Sequence, residues 1–308
     1  MPDTYTGVTQ VAGLVTTAYD TAVENQNRHM PLLRSLPDKH VVSPTHAGSA
    51  YRLFKYNDLA ESSAELTETV DPDAVAVPNT TPLDVSFREF GRIVYKTKKL
   101  DLTSLAKVDP IIVDLLARDQ AVSLDNEVGT ILYAGTNVQR SANRASTVTV
   151  ASGDLIKAQD VRQIVTKLRT NAASPRRGDL YWCGIHPNVA LDLRTETGAN
   201  GWRDDHKYTS PEGFWAGETG VYEGAFFVES ARMKSALDGV GGTTRVYRTM
   251  FAGRQALAEV IWEAPHTVIG DIPVDKLQRH RPFAWYGALN WAIYRDENLF
   301  RYESAATL

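Results

Sequence analysis

An α+β architecture is what this 308-residue sequence predicts, and three patterns carry that expectation. Apolar residues alternate from Leu83 onward and again from Phe283 onward, the period of half-buried strands. Between them an apolar stripe steps by three and four residues from Val113 to Leu132, the period of a helix. Together these give a hairpin, a long helix, an α/β middle and terminal strands that pack on the helix.

Residues 1–45 mix small and polar side chains with Pro31, Pro37 and Pro44, and read as an arm with one short helix around 18–30 rather than a domain with its own core. The run Tyr51-Arg-Leu-Phe-Lys-Tyr56 is then set to pair with the strand that starts at Leu83. In that strand Leu83, Val85, Phe87, Ile93 and Tyr95 fall on one face, while Asp84, Ser86, Arg88, Arg92 and Lys96 fall on the other. A single strand here would run for about 15 residues, roughly 50 Å, where globular strands usually stop within ~3–10 residues. Turn signals lie between the two arms, at Asp71-Pro72-Asp73, Pro78-Asn79 and Thr81-Pro82. The hairpin is too long to pack wholly on its own subunit. Its outer half is also acidic: Asp58, Glu61, Glu65, Glu68, Asp71, Asp73 and Asp84, with no Lys or Arg between Lys55 and Arg88. A solvated charged loop accounts for that charge as well as a contact surface does.

Asp109-Pro110 supplies a cap and a pre-set first turn for the long helix. Val113, Ala117, Ala121, Leu124, Val128 and Leu132 line its apolar side, and Gly135 is placed to cap its end. A second helix from Asp154 or Asp160 carries Val161, Ile164, Val165 and Leu168 and ends before Pro175. Strand Leu180–Ile185 and a short helix opened by Pro187, with Val189, Leu191 and Leu193, come next. Residues 197–220 read as a loop rich in Gly and Trp, followed by strands at Gly224–Val228, Arg245–Phe251 and Ala256–Trp262. At the end Phe283, Trp285, Leu289, Trp291 and Ile293 share a strand face, and Arg295-Asp-Glu-Asn298 turns into a last strand, Leu299–Glu303.

Composition narrows the function. The net charge of −4, from 33 basic and 37 acidic residues, lacks the basic excess of a protein that grips phosphates, so any DNA partner is contained rather than tightly bound. The lone Cys183, inside the apolar run Leu180–Ile185, makes neither a disulfide nor a zinc cluster and reads as a buried thiol. No stretch approaches the ~18 apolar residues of a membrane helix, and the first 30 residues are not a secretory signal. There is no phosphate-binding glycine loop; Gly239-Val-Gly-Gly242 reads as a hairpin turn. No Ser elbow, HExxH or kinase signature occurs, and no cofactor or metal is expected. The tightest polar cluster, Asp204-Asp205-His206 with His186, would be the seat of a metal-dependent hydrolase, but a solvated loop is the plainer reading. Trp202, Phe214 and Trp215 flank it, a density of aromatics that suggests a contact surface.

Short pieces spread through the chain resemble the major capsid proteins of tailed bacteriophages, which have the Hong Kong 97-like fold, and more narrowly the short N4-like and actinophage type. Leu66-Thr-Glu68 with Pro72, and Val85–Phe90-Gly91, resemble that family's extended loop and returning strand. Asp154–Arg169, Ile185-His-Pro187 and Asp192-Leu193-Arg194 resemble the start of its axial domain, and Gly217–Gly224 with Phe226-Phe-Val228 a strand there. Met250-Phe-Ala-Gly253 with Ala256 resembles a later strand pair, and Tyr286-Gly287 through Arg301-Tyr-Glu-Ser304 the closing peripheral strands.

The resemblance implies an N-terminal arm over 1–45, an extended loop over 46–100, a spine helix and peripheral domain over 101–157, an axial domain over 158–262 and peripheral strands over 263–308. It implies self-assembly into hexamers and pentamers of an icosahedral shell around double-stranded DNA, with a portal protein and a separate scaffolding or decoration protein as further partners. The expected assembly contacts are Glu65, Glu68, Asp71, Asp73 and Phe87 on the loop and Trp202, Asp204, Asp205 and Trp215 in 197–218. Some relatives cross-link covalently through a lysine near the loop tip; residues 56–95 hold no lysine, so no such link is expected. An encapsulin-like compartment shell is the alternative use of the same fold.

Overall fold

The computed structural model describes residues 32–42, 48–56, 59–62, 65–66, 68–69, 71, 74–104, 108–196, 218–270 and 279–308. Its strands are β1 (Asp38–Val41), β2 (Ala50–Lys55), β3 (Thr81–Ser86), β4 (Glu89–Thr97), β5 (Val138–Arg140), β6 (Tyr181–Ile185), β7 (Glu218–Tyr222), β8 (Ala225–Glu229), β9 (Ser235–Leu237), β10 (Arg245–Ala252), β11 (Leu257–Ile269), β12 (His280–Ile293) and β13 (Leu299–Ser304). The helices are α1 (Lys98–Thr103), α2 (Val108–Leu132), α3 (Ala158–Thr170) and α4 (Pro187–Thr195). The strands form a four-stranded sheet ordered β1-β11-β12-β4, a sheet ordered β5-β13-β10-β6-β8-β7 with β9 beside β10, and the two-stranded stem β2-β3.

Helix α2 lies where its stripe predicted, and both larger sheets depend on it. Leu116, Leu124, Val128 and Leu132 are buried in one cluster with Phe283, Trp285, Leu289 and Trp291 of the four-stranded sheet and Trp182, Met250 and Leu299 of the larger one. Full burial of each such side chain is worth about 1.5–3 kcal/mol. The buried position on the first turns is Leu116, not the expected Ala117, which faces solvent. Gly135 does not cap the helix in a left-handed conformation. It is there for space, since a Cβ would come within 2.9 Å of Leu299 Cδ2.

On its far side the larger sheet is covered by α3 and α4. Val161, Ile164, Val165 and Leu168 of α3, with Val189 and Leu193 of α4, meet Tyr181, Cys183, Ile185, Phe227, Phe251 and Tyr302. Leu191 is exposed instead, because α4 has one covered face. Cys183 is buried, and burial pushes its thiol well above the ordinary range, so it stays protonated and packs as an apolar group. The Gly239–Gly242 turn joins β9 to β10 as expected, with Gly241 and Gly242 at positive φ.

Three expectations change. The returning strand is not continuous: it breaks at Phe87-Arg88, so β3 stays in the stem while β4 pairs with β12 in another sheet. The faces of β4 are also reversed. Its basic side turns toward α2, and Ile93 and Tyr95 stand outward, 49% and 52% exposed. Charge decides this, because acids on α2 lie opposite: Arg88 with Glu127 at 3.2 Å, Arg92 with Asp119 at 2.8 Å, and Lys96 with Asp109. Steps of four along a strand advance about 13 Å, and steps of eight and ten along a helix about 12 and 15 Å, so the two antiparallel rows stay in register.

The third change concerns the ends. The described part of the arm packs on the rest of the chain: Leu33 and Leu36 join the α2 cluster and β1 pairs in parallel with β11. The helix expected at 18–30 lies outside the described residues. The last strand, β13, joins β10 and β5 in the larger sheet rather than the four-stranded one. Strands β1, β5, β7 and β9 are three to five residues long, and β11 runs on past Trp262 through two bulges to Ile269.

Buried acids bind these parts together. Asp125 of α2 accepts from the backbone N–H of Arg34 at 3.0 Å and pairs with Arg232, 3.4 Å away. The Arg34 side chain reaches the buried Glu259 of β11 at 3.0 Å. Glu303 of β13 is surrounded by Arg140 at 2.8 Å, Arg301 at 3.1 Å and Arg248 at 3.7 Å, and accepts from Thr147 at 2.7 Å. Replacing Glu303 by Ala removes the buried acid that Arg140, Arg248 and Arg301 share, and leaves each with only its other acceptor, Ala145 O, Asp238 and Tyr133 O; the expected loss is about 3 kcal/mol of stability by chemical denaturation.

Candidate assembly surface

The stem β2-β3 is built to be anchored at one end only. Leu53 and Val85 are buried against Ala258 and Val260 of the four-stranded sheet, on the face opposite α2. Phe87 packs edge-on against Trp262, ring centres 5.4 Å apart. Asn290 donates to Ser86 O at 2.8 Å, while Tyr294 donates to Phe54 O at 2.9 Å and Lys55 pairs with Glu297 at 2.5 Å. The stem therefore runs from Asn290 toward Tyr294. Across the stem Arg52 and Asp84 form a bidentate pair at 2.6 and 2.7 Å, but both are exposed, so solvent and salt screen it. Arg52, by hydrogen bond first and then by charge, holds the Asp84 carboxyl below its ordinary range.

Of the loop contacts expected from sequence, Glu65, Glu68 and Asp71 are exposed, and Phe87 is half-exposed with Trp262 as its own-chain partner. Asp73, Trp202, Asp204, Asp205 and Trp215 lie outside the described residues. Sequence reasoning missed a further surface. Strand β4 is an edge of its sheet, and no strand pairs with its outer side among the described residues. Between that edge and α2 runs a groove of about 280 Å³ lined by Arg92, Val94, Ile112, Leu115, Leu116 and Asp119. Leu115 is 61% exposed, a signal that the sequence carries as an apolar residue off the helix's main stripe.

Of the residues that a metal-dependent hydrolase would use, the structure describes His186 alone. His186 caps α4, its Nδ1 accepting from the Asn188 N–H at 3.2 Å, and stacks on Tyr247 at 4.8 Å. Asp204, Asp205 and His206, its supposed partners, lie outside the described residues. Among the described residues no group of three or more His, Cys, Asp or Glu is placed to hold a metal, and no helix is long and apolar enough to cross a membrane. A cavity of about 710 Å³ beside Asn188, Arg245 and Tyr247 is partly filled by the Leu308 carbonyl, which accepts from Asn188 at 3.0 Å and Tyr247 at 3.2 Å.

His186 is titratable in a useful range. Burial, then the charge of Arg245, lowers its pKa, which favours the neutral ring that caps the helix. A depressed folded pKa means that its contribution to stability is present above the ordinary value near ~6.5 and is lost as pH falls through the lowered one. Thermal melts from pH 7.5 to 5 are expected to show a fall in stability that shrinks in His186→Asn, which keeps a capping acceptor without the charge.

Comparison with known proteins follows the same lines. Residues 126–266 match the family model for phage capsid protein. No curated protein matches the chain. Among solved structures, the capsid of the cyanophage Pam1 is similar at 12% identity, with a TM-score of 0.74 over 99% of both chains. The capsid of Ralstonia phage GP4 gives 12% identity and 0.74 over 99% of both, and that of Helicobacter pylori bacteriophage KHP30 gives 11% and 0.70 over 99% of both. Likeness at such identity speaks for the fold, and the family match speaks for the sequence across the end of α2, the larger sheet without β13, and most of β11. The chain has the Hong Kong 97-like fold of phage capsid subunits, and from residue 126 to residue 266 it matches the phage capsid protein family.

Proposed function

We propose that this chain is the major capsid protein of a tailed phage, a structural subunit and not an enzyme, which assembles as hexamers and pentamers into an icosahedral shell around double-stranded DNA. One observation supports this most directly: a chain with the capsid fold carries a loop, residues 56–80, whose described acidic and apolar side chains are nearly all exposed. Left in water, that loop is an ordering cost with no return; laid on another subunit, it is an interface. Glu65, Glu68, Asp71, Asp73 and Phe87 are assigned to that contact, and Trp202, Asp204, Asp205 and Trp215 to a second one within 197–218.

In this reading 1–45 is the arm, 46–100 the extended loop, 101–157 the spine and peripheral domain, 158–262 the axial domain and 263–308 the closing peripheral segment, whose last strand, β13, crosses into the larger sheet. The shell is assembled in the host cytoplasm with a portal protein and a separate scaffolding or decoration protein. The net charge of −4 fits DNA that is enclosed rather than gripped.

Negative-stain electron microscopy with size-exclusion chromatography of the expressed chain is expected to show closed shells, tubes or ring-shaped capsomers. A monomer at high concentration, with a co-expressed scaffold as well as without, would count against the shell. DNA inside particles purified from infected cells separates a phage shell from an encapsulin-like compartment. With no lysine in 56–95, mature particles are expected to run on a denaturing gel as a single monomer band; a ladder of multimers would show a covalent link that this loop does not explain.

A further inference from the structure

We infer that Ala306–Leu308 is a strap that His186 holds shut, and that the strap opens when the ring takes up a proton, clearing the polar cavity that Leu308 partly fills. The inference stands apart from the shell reading: it concerns one subunit, whatever that subunit assembles into.

The strap is held by little. Beyond β13, Ala305 is buried and its N–H donates to Asp154 O at 2.9 Å, which fixes the root. Ala306 packs at the margin of the α3–α4 core, while Thr307 and Leu308 are exposed. Three hydrogen bonds tie these two down. Thr307 N–H donates to Asp192 Oδ2 at 3.0 Å, and the Leu308 carbonyl accepts from Asn188 Nδ2 at 3.0 Å and from the Tyr247 hydroxyl at 3.2 Å. With Leu308 itself 73% exposed, those bonds rather than apolar burial decide whether the strap stays.

All three bonds lead back to α4. Asn188 and Asp192 are four residues apart and share one side of the helix. Asn188 also donates to the Tyr247 hydroxyl at 3.0 Å and so positions it. Asn188 is in turn positioned by His186, whose Nδ1 accepts from the Asn188 N–H at 3.2 Å as the cap of α4. The same ring stacks on Tyr247, with ring centres 4.8 Å apart. The latch runs from the imidazole, through the first turn of α4, to the strap.

A proton breaks it at the imidazole. Nδ1 accepts only while it carries no hydrogen; protonated, it turns an N–H toward the N–H of Asn188, and both lose their partner. Burial, and then the charge of Arg245 on β10, already disfavour the charged ring, which would also sit at the positive end of the α4 dipole. Attraction between an imidazolium and the Tyr247 ring works the other way, one gain against these losses. Neighbouring acids do not offset them: Asp192 holds Thr307, and Glu229 of β8, the register partner of Ile185, is paired with Arg194.

The sign follows. The charged ring is better accommodated with the strap open, so closure is complete above the ordinary histidine value near ~6.5 and is lost as pH falls below it. What opens is the cavity of about 710 Å³, whose wall of Ser152, Thr243, Thr244 and Arg245 presents hydroxyls and a cation.

Hydrogen exchange of the full chain tests this, read as protection of the Thr307 amide relative to a free peptide at the same pH. Protection is expected to fall on the order of tenfold between pH 7.5 and 5, while the amides of β6 and β10 keep theirs. His186→Asn, which retains a capping acceptor without the charge, is expected to hold Thr307 protection within about twofold over the same range. Asp192→Ala is expected to abolish it at both pH values, which identifies the signal as the strap's. Constant protection in the native chain, or an equal fall in His186→Asn, would overturn the latch. A fall shared by β6 and β10 would be unfolding and overturn it likewise, and so would Thr307 protection that survives Asp192→Ala.

Discussion

A helix of 25 residues, about 38 Å long, is too long for one small sheet to cover, and the rest of this molecule is arranged around that constraint. The first two-thirds of α2 lies on the four-stranded sheet, where Trp285 donates to Asp119 at 2.9 Å and the Arg88–Arg92–Lys96 row meets its acids. Its last turns reach the larger sheet, where the Tyr133 hydroxyl accepts from the Lys234 N–H at 2.8 Å and the Tyr133 carbonyl accepts from Arg301. Burial pushes the Tyr133 hydroxyl up to about 12, so it remains a neutral hydrogen-bonding group at any pH the protein meets. Because two sheets share one helix, displacing the helix from either one disturbs both.

Buried charge marks the joints in that arrangement. Asp125, Glu259 and Glu303 are all essentially without solvent, and each faces guanidinium groups brought from distant parts of the chain. A buried pair of this kind is poor value as stabilisation against an apolar pair of equal volume, but breaking one is severe. Asp125 reads the backbone of Arg34 while Glu259 reads its side chain, so the arm can seat in one way only. Register, rather than net stability, is what such contacts supply here.

How much of this was legible in the sequence follows from the range of the forces involved. Helices α2, α3 and α4 and the apolar faces of β6 and β12 declared themselves because their periodicities are local. Short strands such as β1 and β5 did not, because a three- or four-residue edge is defined by its partner, β11 or β13, more than by its own pattern. The faces of β4 were reversed for a related reason. Alternation separates Ile93 and Tyr95 from Arg92 and Lys96, but which side turns inward depends on Glu127, Asp119 and Asp109, which lie on another element. The loop's acidity was plain from Glu61 to Asp84, yet its significance was not, since an acidic solvated loop has the same composition. The edge-and-groove surface became visible only once β4 and α2 stood side by side.

A patch that meets a copy of itself gives an isologous pair and stops at two. An exposed loop that meets a different surface on a second copy, as proposed for residues 56–80, gives a head-to-tail contact, and each subunit added leaves one loop and one such surface still open. Such a chain of subunits either closes into a ring or winds into a filament, and the angle of the contact decides between them. The same head-to-tail contact can close at five or at six if the angle bends by a few degrees. Each contact is modest in area. In a closed ring, however, no subunit can leave without breaking two, so modest contacts sum to a persistent wall.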